Sequence, residues 1–263
     1  VSKGADVVTL SSNISSDERK QIEELKCLSL SYPVARNGLN PFKDIKTYLT
    51  LRKLIKANKP EKIFSYTIKP IIWGGIAART HKQVQFYALV TGLGYAFQKG
   101  GFFRNALMGI VVWLYRLALR NSKAVLFQNP DNMRVFVEAE IVPKNKCYLV
   151  NGSGVNLKRF QVAPLPVEPK FLLIARLLGE KGIREYCQAA QIVKNKYPNA
   201  SFMLVGPEDS SPDGIKIGEI EYWVNLGVID YKGGTDDVRP YIGQSNIFVL
   251  PSYHEGIPRT VLE

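Results

Sequence analysis

Two pairs of charged residues beside apolar runs carry the chemistry this sequence suggests. In PSYHEGIPRTVLE, residues 251–263, Glu255 and Glu263 are separated by seven residues and flank the turn Gly256, Ile257, Pro258. The apolar run 247–250 before it reads as a buried strand. Residues 259–263 read as the start of a helix, with Pro258 in its first turn, where a missing N–H costs little. A strand, a glycine turn and a helix start leave backbone N–H groups free to face an anion. Two carboxylates there can accept hydrogen bonds from a polyhydroxyl ligand. The second pair is Arg176 and Lys181 in RLLGEKG, residues 176–182. Cations at a strand's carboxyl end, just before a helix, suit two phosphates. Either pair alone could be ordinary surface charge; together they point to one ligand bearing a diphosphate and hydroxyls. His81 reads as a surface residue, and His254 adjoins Glu255 without a distinct role.

These residues need a frame. Strands are expected at 7–10, 27–30, 62–65, 84–90, 124–127 and 147–150, with helices over 17–25, 40–57, 72–79 and 131–139 between them. Asn40 caps the second helix with Pro41 in its first turn. Its apolar face is read as Ile45, Leu49, Leu51, Leu54 and Ile55. Three prolines within VAPLPVEP, residues 162–169, fit neither regular element, so the domain linker is placed there. The alternation restarts with strands at 171–175, 202–205, 228–231 and 247–250 and helices at 183–196, 219–226 and 236–242. The expectation is α/β: two Rossmann-like, doubly wound domains facing a cleft, 1–161 and 170–263, with ligands beyond the strands' carboxyl ends.

Composition narrows the partners. The 263 residues carry a formal net charge of +12. Residues 1–160 hold 25 Lys+Arg against 10 Asp+Glu, while residues 161–263 hold 10 against 13. A basic first half joined to a mildly acidic second half suggests that the first meets something anionic. The run 102–119 is strongly apolar, but Arg104 and Arg116 leave 11 uncharged residues between them. About 20 are needed to span a bilayer. That leaves a core helix or one lying on an anionic membrane surface. Cys27, Cys147 and Cys187 lack disulfide or zinc spacing, which suits a reducing compartment. Three N-x-S sequons follow no signal peptide and read as accidental.

The set of motifs resembles the retaining glycosyltransferases of family four, which have the GT-B fold and use sugar nucleotides. It comprises Ala175-Arg176 through Lys181-Gly182, Leu204-Val205-Gly206, the loop Gly233 to Val238, and the Pro-Ser-x-x-Glu-Gly-x-Pro run that ends in Glu263. Asn151 to Phe160 looks like a family turn in the first domain. Tyr66, Thr67, Lys69 and Pro70, with Val90, Thr91, Gly92, Gly94 and Phe97, look like the subgroup that builds capsules and O-antigen repeats on a polyprenyl diphosphate.

The resemblance implies roles residue by residue. Arg176 and Lys181 would hold the donor diphosphate. Glu255 would bind donor sugar hydroxyls, helped by the backbone from Gly256 through Ile257 to Pro258, and Glu263 would bind the ribose. Gly206 belongs to the donor site, and the loop from Gly233 to Val238 would border the base. Thr67, Lys69, Thr91 and Gly92 would meet the acceptor or the transferred sugar. The expected donor is a UDP-sugar and the acceptor a lipid-linked or other glycan. The family implies no further cofactor and no metal, the paired cations taking that part. Cytoplasmic placement at the inner membrane face follows, with no nucleic acid among the partners. The family pattern also begins before Val1 and continues past Glu263, so the second domain is expected to be incomplete. The rivals are an epimerase of the same fold, or a non-catalytic basic module binding membrane or nucleic acid.

Overall fold

The computed structural model describes residues 4–12, 14–34, 40–93, 97 and 102–263 except 254, with backbone alone at 102–104. The chain divides into two compact units, Val1–Val150 and Asn151–Glu263.

In the first unit β1 (Val8–Ser11) pairs in parallel with β2 (Leu28–Ser31). A separate parallel sheet holds β3 (Lys62–Tyr66), β4 (Gln85–Val90), β5 (Ala124–Phe127) and β6 (Cys147–Leu149), in that order. Parallel neighbours need a crossover, and helices supply it. Here they include α3 (Ile68–Ala78), α4 (Phe102–Leu119) and α5 (Pro130–Glu138). The small residues of α3 let α4 come close, since a Cβ on Gly75 would lie 2.7 Å from the Ala118 carbonyl oxygen. An aromatic cluster fills the core: Tyr115 meets Phe136 edge-on at 5.0 Å between centroids, and Phe97 stacks on Phe136 at 6.0 Å. Phe97 thus packs the core, whereas Gly94 of the same motif lies outside the described residues.

Helix α1 (Ser16–Glu24) begins with a capping box between Ser15 and Glu18. Helix α2 (Pro41–Asn58) begins at the Asn40 cap, whose side chain accepts from the Lys43 N–H. Its buried face differs from the expected one. Leu51 and Ile55 are buried, but Ile45 and Leu49 are each 53% exposed, while Asp44 and Thr47 lie inside. Hydrophobicity alone assigned that face, whereas two polar side chains with built-in partners took it. The Thr47 hydroxyl donates to the Pro33 and Lys43 carbonyls, and Asp44 pairs with Lys69.

The second unit holds β7 (Lys170–Ile174), β8 (Ser201–Val205), β9 (Asp230–Tyr231) and β10 (Ile247–Phe248), all parallel in the order β10-β7-β8-β9. The chain steps outward from β7 to β9 and then returns to the far side of β7. The direction of winding therefore reverses between β7 and β10, and ligands of open α/β sheets sit at that reversal. Helix α6 (Ile183–Lys196) occupies the expected residues, and α7 (Ile217–Asn225), α8 (Arg239–Gly243) and α9 (Arg259–Leu262) complete the unit. The stretch 151–169, read from sequence as domain end plus linker, groups with this unit. Asn246 fastens it: its amide donates to the Pro166 and Glu168 carbonyls and its oxygen accepts from the Lys170 N–H.

Candidate functional site

At the winding reversal, glycine decides how closely the strand ends approach. Gly206, at φ +154°, lies so near β7 that a Cβ would come 1.8 Å from the Ala175 carbonyl oxygen. Gly182, at φ +70°, would bring one to 2.3 Å from the Pro251 oxygen. These two contacts draw the loops after β8 and β10 onto the loop after β7. Across the second contact, Lys181 Nζ lies 2.8 Å from Glu255 Oε1, with side chains 18% and 26% exposed. Tyr253 strengthens the clasp: its N–H donates to the Glu180 carbonyl at 2.9 Å and its hydroxyl to Glu185 at 2.6 Å. The phenol holds the Glu185 carboxyl below the usual carboxylate range, and the carboxylate in turn pushes the Tyr253 phenol up. The neighbouring Ser252 hydroxyl is buried with no hydrogen-bond partner among the described residues.

The remaining second-unit candidates take other partners. Arg176 Nη1 lies 2.5 Å from Asp209 Oδ2, with 61% of the arginine side chain exposed. Hydrogen bonds from Ser211, with the Arg176 charge adding, hold Asp209 below its ordinary value. Glu263 pairs with Arg259 at 2.7 Å, and its side chain is only 6% exposed. The Gly206 N–H donates to the Gly233 carbonyl at 2.8 Å, placing the loops after β8 and β9 side by side. Val238 leads into α8, next to Asp237, which the Arg239 guanidinium holds at about 2. Gly256 and Pro258 stand between β10 and α9, and Ile257 packs where a Cβ on Gly152 would be 3.2 Å away. Lys181 with Glu255 and Gly206 with Gly233 therefore come together, while Arg176 and Glu263 are engaged elsewhere.

In the first unit, Tyr66 of β3 stands beside Leu89 of β4, so Thr67 and Thr91 leave the sheet at one edge. Thr67 adopts φ +66°, ψ 161°, and caps α3 without a side-chain hydrogen bond. A β-branched residue there is strained by about 1–3 kcal/mol, and such strain clusters at working sites. Lys69, in the first turn of α3, lies 2.9 Å from Asp44, with side chains 13% and 4% exposed. Gly92 is half-buried, and among the described residues nothing lies within 4 Å of where its Cβ would be.

The glycosyl transferase 4-like family matches residues 1–129, and the glycosyl transferases group 1 family matches residues 168–263. The chain belongs to the glycosyltransferases. It is 32% identical over 260 residues to the N,N'-diacetylbacillosaminyl-diphospho-undecaprenol alpha-1,3-N-acetylgalactosaminyltransferase of Campylobacter jejuni, covering 93% of this chain and 66% of that one. It is 25% identical over 251 residues to the UDP-Gal:alpha-D-GlcNAc-diphosphoundecaprenol alpha-1,3-galactosyltransferase of Escherichia coli, covering 88% and 62%. The chain thus spans just under two thirds of these relatives' lengths. Sucrose-phosphate synthase of Thermosynechococcus elongatus superposes with a TM-score of 0.72 at 19% identity, over 98% of this chain and 68% of its own. That likeness shows the GT-B fold.

Sequence reading of this glycosyltransferase missed Asp44, Asp209, Tyr253 and Glu185. Asp209 follows the Val205-Gly206 strand end and sets up its own turn through the Ser211 N–H, a local signal that was available. Asp44 offered no such signal, because its partner stands on another helix. Among the described residues, no three His, Cys, Asp or Glu side chains gather as a metal site. A cavity of about 440 Å³ lies elsewhere, lined by Arg79, His81, Lys82 and Lys123 near the amino end of β4. Within the first unit that is the opposite end of β4 from Thr91 and Gly92.

Proposed function

We propose that this glycosyltransferase moves a hexose or N-acetylhexosamine, with retention, from a UDP-sugar to a polyprenyl-diphosphate-linked acceptor in surface polysaccharide biosynthesis. The observation that carries this is the Lys181–Glu255 pair, which joins the loops after β7 and β10 at the winding reversal. The activities named for the two relatives, both acting on diphospho-undecaprenol-linked sugars, support the acceptor class. In this reading an incoming diphosphate takes Lys181 and Arg176 from their carboxylate partners. Glu255, released by Lys181, then accepts hydroxyls of the donor sugar, so phosphate and sugar recognition are coupled. The two cations meet the leaving group's charge, with no metal invoked. Gly206 and the loop from Gly233 to Val238 border the nucleoside, and Glu263 takes the ribose by leaving Arg259. Thr67, Lys69, Thr91 and Gly92 face the acceptor.

The test is a thermal-shift titration with UDP, GDP and ADP, beside Arg176→Ala. A nucleotide at 100 times its Kd stabilises by about 2.7 kcal/mol. Stabilisation by UDP, lost in the variant, is expected; no shift with any nucleotide in the complete enzyme would sink the reading.

The lipid-linked acceptor also places the enzyme at the cytoplasmic membrane surface in this proposal. Helix α4 supports it: Val111 and Tyr115 are buried, while Ile110 and Trp113 are 52% and 61% exposed, and Trp113 lies one turn from the exposed Arg116. The Arg104 side chain lies outside the described residues. Among the described residues no helix is long and apolar enough to cross a membrane. Trp113→Glu with Arg116→Glu should abolish flotation with anionic liposomes; unchanged flotation removes α4 as the contact.

A further inference from the structure

Asp44 stands in the first turn of α2, where helix geometry would let a carboxylate face water, yet its side chain is 4% exposed. Its partner is Lys69, 25 residues on in sequence and 2.9 Å away. Taking two charges out of water costs several kcal/mol per ion, so a buried pair is weak evidence of stabilisation. Its position suggests another purpose. Lys69 follows β3 by three residues, next to the strained Thr67, and what exposure the pair retains lies mainly on the lysine.

Resting on the function proposed above, we infer that Asp44 is a positioning residue. It holds the Lys69 ammonium at the carboxyl end of β3 as a preset donor for an uncharged hydroxyl of the acceptor sugar. The ammonium has three donors, and Asp44 occupies one. Because Asp44 already matches its charge, the pair is net neutral and offers a diphosphate little attraction. A ligand phosphate would have to strip a buried carboxylate of its one charge partner among the described residues, which is far harder than displacing a solvated one. A sugar hydroxyl needs only a spare N–H. The exposed Thr67, whose side chain makes no capping bond, precedes Lys69 by two residues at the same strand end and offers a second polar group.

The experiment compares wild type, Asp44→Asn, Lys69→Gln and the double variant in the complete enzyme. It reads the melting temperature, the UDP Kd, and transfer to farnesyl-diphosphate-linked N-acetylglucosamine, with farnesyl diphosphate as a competitor lacking the sugar. Asp44→Asn should raise the acceptor KM at least about tenfold while the UDP Kd holds. The double variant should regain melting temperature without regaining the KM. Recovery of both in the double variant would show that the pair serves folding alone and overturn the inference. So would an acceptor KM in Asp44→Asn within twofold of wild type, or wild type that binds UDP but not the sugar-bearing lipid. Equal losses of affinity for both lipids in Lys69→Gln would assign the contact to phosphate, which also overturns it. Failure of the wild type to bind UDP is a separate result, and it defeats the underlying function first.

Discussion

Each unit presents a lysine–carboxylate pair just past the carboxyl ends of its strands, and the two differ in burial. Lys69–Asp44 in the first unit is 13% and 4% exposed, whereas Lys181–Glu255 in the second is 18% and 26% exposed. The distances are alike, 2.9 and 2.8 Å. Hydration therefore separates them. Water near Glu255 can take over its hydrogen bonds when a ligand claims the lysine, but little water reaches Asp44. The same chemistry thus yields an exchangeable contact in one unit and a fixed one in the other. Arg176–Asp209 falls between them, an exposed guanidinium on a mostly buried carboxylate.

The sharpest way to break that comparison is to remove one partner from each pair. Lys69→Gln leaves the 4%-exposed Asp44 carboxylate without its counter-charge, and such losses run to about 3–5 kcal/mol. Lys181→Gln leaves the 26%-exposed Glu255, which water can reach, and about 1 kcal/mol is expected. Denaturant midpoints of the two variants measure the difference; equal losses would mean that burial does not distinguish the pairs. A smaller effect concerns the Tyr253–Glu185 bond that holds the loop after β10. The Glu185 carboxyl is lowered in the folded state, so its contribution is complete above the unfolded value, near pH 4.3, and is lost as pH falls through the folded value. Tyr253→Phe should remove that component. Its melting temperature should then fall less steeply than wild type's between about pH 5 and 3. Parallel profiles would show that the bond does not hold the loop.

The α/β alternation, the Asn40 cap and helix α6 were legible because each rests on neighbours within a few residues. The same holds for the glycines: only a residue without a Cβ fits at 182 and 206, so the strand-end turns are written into the chain. Helix α3 starts at Ile68 rather than at 72 because Thr67 takes a conformation that its residue type does not announce. The apolar face of α2 misled for a similar reason, since the partners that bury Asp44 and Thr47 are supplied by the segments packed against it.

Sequence by itself determined the strand–helix order, the motif residues and the family they belong to, all carried by local pattern and residue type. Tertiary structure alone decided the pairings of the charged groups. Lys181 meets Glu255 across 74 residues, Arg176 meets Asp209 across 33, and Lys69 meets Asp44 across 25. A side chain's charge is fixed by its type, but its partner and its access to water depend on which strand lies beside which. In the second unit that was set when β10 returned to the far side of β7.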